Sequence, residues 1–171
     1  MIVRLATQAD LPEILDIYNH AILHTTAVYE YQPHTIEMRE QWFREKIRTD
    51  IPVFVAVVDG RVAGFASYGG FRAWAAYKYS VEHSVYVHEQ FRRRGIAKAL
   101  LKQLFDSVKG KNIHTFIAGI DAENEISITL HKQLGFSEIG HFKQVGFKFG
   151  RWLDLKFYQL ILEANFLPDE H

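Results

Sequence analysis

The 171-residue chain contains no cysteine. That absence removes disulfides, thiolate metal sites and a cysteine nucleophile, and it suits a reducing compartment. Net charge is missing too, because 20 Lys and Arg balance 20 Asp and Glu. Proteins that bind nucleic acid ordinarily carry a basic excess, so no nucleic-acid partner is expected. No hydrophobic run approaches the ~20 apolar residues needed to cross a bilayer, and no membrane partner is expected either. Arg4 and Asp10 break the first apolar stretch, which argues against a signal peptide and for a cytoplasmic protein. The four prolines stand apart at positions 12, 33, 52 and 168, with no repeat and no Pro/Gly/Ser-rich linker between them. One domain over residues 1–165, followed by a short tail at 166–171, is the expectation. Hydrophobic residues make up 48% of the chain and charged ones 23%. Those proportions are globular, and a chain of this length can bury roughly 70% of its surface without a staple.

Hydrophobic periodicity gives the element order β-α-α-β-β-β-α-β-α-β-β, an α/β (α+β) arrangement. Ile2 to Ala6 alternates as a short strand, and Thr7 with Asp10 forms a capping box. Leu11, Ile14, Leu15, Tyr18, Ala21 and Ile22 then recur at helical spacing. Thr35 caps a second helix whose apolar row is Met38, Trp42 and Ile47. Val53 to Val58 is a strand, Asp59-Gly60 a hairpin turn, and Val62 to Tyr68 the returning strand. The aromatic run from Phe71 to Tyr79 reads as a loop, and His83 to Val87 as a strand. A helix from Ile96 to Val108 follows, stopped at Gly110. His114 to Ile120 is a strand, Glu125 to Leu134 a helix stopped by Gly135, and Phe136 to His141 and Leu153 to Leu162 the last two strands.

Between the strand ending at Val87 and the helix opening at Ile96 stand Arg92, Arg93, Arg94 and Gly95. A helix start leaves backbone N–H groups unpaired and carries the positive end of the macrodipole, so a phosphate group fits there if the backbone can be approached. Gly95 and Ala97 keep the approach open, while Arg93, Arg94 and Lys98 add charge. The plain alternative is a solvated basic turn. Neither GxxxxGK(S/T) nor GxGxxG occurs, which removes a nucleoside-triphosphate loop and a dinucleotide fingerprint.

Arg92-x-x-Gly95-x-Ala97 after Val85-Tyr86-Val87 resembles the Gln/Arg-x-x-Gly-x-Gly/Ala signature of the GCN5-related N-acetyltransferases (GNAT). Asn124 and the run Leu130 to Phe136 stand at the matching distance, and the element order agrees from Val3 to Leu160. Within that superfamily, Glu82 to Val87 and Val145 to Asp154 are most similar to the phosphinothricin and methionine sulfoximine acetyltransferases. The resemblance implies a mixed, mostly antiparallel sheet splayed at the cofactor site, with helices on both faces. It implies acetyl-CoA as co-substrate and direct transfer to the α-amino group of a small amino acid or analogue. Val85, Tyr86 and Val87 would then meet the pantetheine arm through their backbone, with an N–H near Val87 serving the carbonyl oxygen. Arg93, Arg94, Gly95, Ile96, Ala97 and Lys98 would hold the pyrophosphate, and Asn124 the pantetheine. Relatives of this kind are commonly homodimers, and a homodimer is expected.

An acyl acceptor must lose a proton before it attacks, and a free α-amino group has a pKa of about 7.7–8.0. Glu82 is the expected base; its plain alternative is a surface carboxylate at a strand start. His83 alternates with Glu82 and should point to the opposite face. His131 takes the place that many members give to a tyrosine, and it is the expected acid for the departing thiolate. Arg72, Ala73, Trp74, Glu82, His83 and Ser84 are the expected substrate contacts, with Arg72 a guanidinium fork for the acceptor's carboxylate. Aromatic loops of this kind also roof cores or form subunit contacts.

Other signals are weaker. His20 and His24 have i, i+4 spacing but neither a third ligand nor HExxH, so no metal is expected. Phe147, Phe149, Trp152 and Tyr158 read as core or a dimer seam. Two other functions remain open: acetylation of a protein N-terminus or polyamine, and acyl-CoA binding without turnover.

Overall fold

A computed structural model describes residues 1–163 and 167–170; the expected boundary at 165/166 lies outside the described residues. The strands are β1 (Ile2–Leu5), β2 (Val53–Val58), β3 (Arg61–Gly70), β4 (Ser80–Val87), β5 (Thr115–Asp121), β6 (Ser137–Lys148) and β7 (Arg151–Ile161). The helices are α1 (Leu11–His24), α2 (Ile36–Arg48), α3 (Ile96–Asp106) and α4 (Glu125–Gln133). Strands neighbour one another in the order β1-β2-β3-β4-β5-β7-β6. β4 and β5 are parallel, while β1–β2, β2–β3, β5–β7 and β6–β7 are antiparallel, so the sheet is mixed and mostly antiparallel. The β4–β5 ladder pairs Ser80–Glu82 with Thr115–Ile117. No helix among the described residues is long and apolar enough to cross a membrane.

The chain divides into two compact units. The first comprises Met1–Tyr68 and Ser84–Ser107. Its entry is fixed by Asp10, whose carboxylate accepts from the Thr7 backbone N–H at 2.7 Å and from both Arg4 Nη atoms at 2.8 Å. The Arg4 fork, opposed by burial and helped by Thr7, pulls Asp10 down to about 2. Asp59 and Gly60 both take positive φ, 50° and 76°, the backbone that a two-residue hairpin turn demands. Leu11, Ile14 and Ile17 of α1 and Phe43 of α2 share one buried cluster with Val53, Val55, Val62 and Phe65. Gly64 faces the other way. A Cβ there would stand 3.2 Å from Ile96 Cγ2, 3.3 Å from Leu100 Cδ1 and 2.7 Å from the Tyr86 carbonyl oxygen. Successive β3 residues thus meet α1 and α2 on one face and α3 on the other.

The apolar row expected along α2 is not the buried one. Met38 is 47% exposed and Ile47 65%, whereas Arg39 and Phe43 are buried. The Arg39 guanidinium carbon lies 4.1 Å from the Tyr18 ring centroid and 4.7 Å from that of Trp42. A cation that covers aromatic faces contributes to a core without counting as apolar.

The second unit comprises Gly69–His83 and Val108–His171. β5 runs at its centre, paired along its whole length with β7 from Leu155 to Ile161. β6 is longer than its sequence suggests: it continues past His141 to Lys148, with register shifts between Glu138 and Gly140 and between Phe142 and Gly146. Tyr158 is fully buried and its hydroxyl donates to Glu138 Oε2 at 2.7 Å. Burial first and then that carboxylate push its pKa up to about 12. Phe147, Phe149 and Trp152 are exposed rather than core.

Candidate active site

The first unit supplies the anion cradle. Gly95 is the N-cap of α3, with a φ of 74° that only glycine adopts without strain, and Arg93 two residues earlier also has positive φ, 63°. Left-handed residues this close together are the kind of backbone that turns N–H groups to one side in anion-binding nests. No side chain caps this helix start and its first turn holds no acidic residue, so the positive end of the dipole is left uncompensated. A Cβ built on Gly95 would meet nothing within 4 Å. Arg92, Arg93, Arg94 and Lys98 are exposed around it, while Ile96 is buried and anchors the turn. Arg94 stands 5.3 Å above the Phe91 ring. These residues fit a pyrophosphate: donors, charge and open space coincide. Val85, Tyr86 and Val87 form the end of β4 in the same unit, and Ser84 precedes them, half-buried.

The second unit brings together the titratable groups. Glu82 and His83 point to opposite faces, as alternation requires. Glu82 is half-buried. Burial raises its pKa, against the Arg72 guanidinium and the Gly119 backbone N–H, which both lower it. Arg72 itself is exposed and stacks 4.6 Å over the Phe71 ring. Trp74 is 72% exposed, 6.5 Å from the ring of Tyr77, and Ala73 beside it is exposed as well. Asn124 caps α4 by accepting from the Ser127 N–H at 3.1 Å, a cap that uses its oxygen and not its amide nitrogen.

His83 is buried and packs on Phe116 and Phe136, with ring centroids 5.9 and 5.4 Å away. Its Nε2 meets His131 Nε2 at 2.9 Å, and His131 Nδ1 lies 2.7 Å from the Ser127 carbonyl oxygen. That carbonyl can only accept, so His131 carries its proton on Nδ1 when neutral and offers a lone pair at Nε2. His83 is then the donor between the rings. Burial lowers both pKa values; His83 falls to about 3, with the His131 ring reinforcing burial and the Ile117 backbone opposing it. His131 is only 2% exposed and both its nitrogens have protein partners.

Sequence reasoning missed two participants. Ser127 orients His131 from one helical turn earlier, a spacing that looks like any helix face. Gly119 sits against Glu82, and its one signal was a glycine inside a strand. The His20 and His24 rings lie 4.8 Å apart and tilted, with Glu89 3.6 Å from His20 Nε2. Among the described residues no group of three or more His, Asp or Glu side chains is arranged to hold a metal.

The family model described as the acetyltransferase (GNAT) domain matches residues 3–156. The chain belongs to the GNAT acetyltransferase family. It is an acetyl-CoA-dependent N-acetyltransferase. An L-methionine sulfoximine/L-methionine sulfone acetyltransferase from Salmonella typhimurium is 41% identical over 169 residues, 99% of each chain. A phosphinothricin N-acetyltransferase from Streptomyces coelicolor is 34% identical over 166 residues, 92% of this chain and 94% of its own. The solved structure of an acetyltransferase from Salmonella typhimurium with its cofactor acetyl-CoA has a TM-score of 0.95 at 41% identity, covering 99% of this chain and 98% of that one.

Proposed function

We propose that this GNAT enzyme acetylates the α-amino group of a small amino acid of the methionine sulfoximine, methionine sulfone or phosphinothricin type. The observation that carries the reading is Glu82: a half-buried carboxylate whose pKa burial raises, within the electrostatic reach of the Arg72 guanidinium. A base and a carboxylate anchor on adjoining segments suit a molecule that carries both an ammonium and a carboxylate. When bound, acetyl-CoA supplies the acyl group, a C–N bond forming as its C–S bond breaks. Arg93, Arg94, Gly95, Ile96, Ala97 and Lys98 hold the pyrophosphate; Val85, Tyr86 and Val87 and the Asn124 amide hold the pantetheine. The Val87 N–H serves the carbonyl oxygen, a donor role that mutagenesis elsewhere values at 10²–10³ in kcat.

Glu82 takes the proton from the acceptor's ammonium, directly or through water. Its raised pKa brings it nearer to that of an α-amino group, which favours the transfer. His131 is the acid for the departing sulfur on one condition: one of its nitrogens must first leave its present protein partner. Trp74, Ala73 and Ser84 complete the acceptor's surroundings, whereas His83, expected there too, is buried against Phe116, Phe136 and His131 on the face opposite Glu82. Homodimer formation, a cytoplasmic location and the lack of nucleic-acid, membrane and metal partners belong to the same reading; exposed Phe142, Phe147 and Trp152 on β6 and β7 support the dimer.

Steady-state release of CoA tests the acceptor. Methionine sulfone and phosphinothricin should turn over with kcat/KM at least ten-fold above spermidine and a short peptide. The reverse ranking would move the assignment to a polyamine or a protein N-terminus, and acetyl-CoA binding without any turnover would leave a non-catalytic regulator.

A further inference from the structure

We propose that Gly119 is a positioning residue for the amine-accepting carboxylate: the missing side chain makes room for Glu82, and the Gly119 backbone N–H holds its ionised form. The proposal rests on the acceptor reading above for its catalytic meaning, but not for its test.

β5 is buried at six of its seven positions and open only at Gly119. The backbone does not call for glycine there, since the glycines with positive φ are 60, 95, 110, 135 and 150. Gly119 pairs in regular register with Phe157 on β7. A glycine in a strand interior weakens the strand, so its presence marks a close approach. That approach is the Glu82 side chain. A Cβ built on Gly119 would stand 3.0 Å from Glu82 Oε1, with Phe157 Cε1 at 3.5 Å and Leu155 Cδ1 at 3.7 Å closing the sides. A methyl group there is tighter against Glu82 Oε1 than ordinary packing, so the carboxylate must give by a few tenths of an ångström. The groups acting on Glu82 are the Arg72 guanidinium from the 71–79 segment and the Gly119 N–H from β5, both favouring the anion, against burial.

In Gly119→Ala the carboxylate is pushed back from the Gly119 N–H, and a weaker contact with that donor favours its protonated form. The base works ionised, so the acid limb of kcat/KM should shift to higher pH by about one unit, with roughly a ten-fold loss below the new midpoint. In a Glu82→Gln background the same alanine should cost less than two-fold, because no carboxylate remains to displace. An equal loss in both backgrounds would mean that the methyl merely blocks the acceptor, and would overturn the proposal.

Carboxyl ¹³C NMR of Glu82 reads the midpoint without any substrate. A higher midpoint in Gly119→Ala supports the proposal, and identical midpoints refute it. If the alanine variant does not fold, the wild-type protein still decides. The Gly119 amide resonance should titrate with the Glu82 midpoint, and an amide that stays still through it refutes the contact. Failure of methionine sulfone to react would remove the acceptor reading and leave these NMR outcomes intact.

Discussion

His83 and His131 meet Nε2 to Nε2 at 2.9 Å, with room for one proton between them. Because His131 donates from Nδ1 to the Ser127 carbonyl, the donor direction runs from His83 through His131 to the α4 backbone. Long-range ¹H–¹⁵N NMR at pH 7 should show His131 protonated on Nδ1 and His83 on Nε2. Protons on the other nitrogens would break this directional chain.

The same pair makes the fold acid-sensitive. Both rings have folded pKa values below that of free histidine, His83 at about 3. As pH falls through ~6.5 the unfolded chain therefore binds protons that the folded chain refuses, and stability is lost at up to ~1.4 kcal/mol per pH unit per ring. Asp10 behaves with the opposite protonation state: its contribution is present above ~4 and is lost as pH falls toward 2. Urea melts at pH 7.5, 6, 5 and 4 should show a decline that begins near pH 6.5. A plateau down to pH 4 would mean that the rings protonate in place.

Replacing Glu82 with Gln removes the proposed proton acceptor while keeping the side chain's size. Turnover should fall 10²–10⁴-fold, the range for a positioned general base, with little change in acetyl-CoA affinity. The acid limb of the wild-type profile should disappear with it. Persistence of that limb in the variant would assign it to another group.

Gly95→Val places a β-branched residue at φ 74° and fills the open side of the nest. The strain alone is worth about 1–2 kcal/mol of stability. Calorimetric titration should show acetyl-CoA binding at least ten-fold weaker at a temperature where the variant is fully folded. Unchanged affinity would place the pyrophosphate elsewhere.

Arg72→Gln should raise the KM for a zwitterionic acceptor about ten-fold and, by removing a cation from beside Glu82, move the acid limb to higher pH. Arg72→Lys should restore the limb more than the KM, because an ammonium supplies charge without a planar fork. A KM unaffected by either change would leave the acceptor's carboxylate to another group.

Much of the fold lay open to periodicity and turn chemistry. Val53–Val58 and the Asp59-Gly60 turn occur as read, and Thr35 does cap α2, accepting from the Met38 N–H at 3.4 Å. The cradle was legible because a helix start leaves its mark in three consecutive positions. β6 beyond His141 was not, since a strand with almost every side chain exposed shows no period of two. The burial of Arg39 was not legible for a related reason: it comes from aromatic faces on α1 and α2, which no single helix displays. The histidine pair and the Gly119 contact depend on residues 48 and 37 positions apart, and spacing along one element carries no trace of them.

Asp169 gives the last described stretch a grip on the chain. Its carboxylate takes a hydrogen bond from Lys78 Nζ at 2.7 Å and its carbonyl one from the Tyr79 hydroxyl at 3.0 Å, and residues 78 and 79 lead straight into β4 and Glu82. Asp169→Ala would release that grip, and the 71–79 run with its exposed Arg72 and Trp74 would lose a brace that lies 90 positions away along the chain.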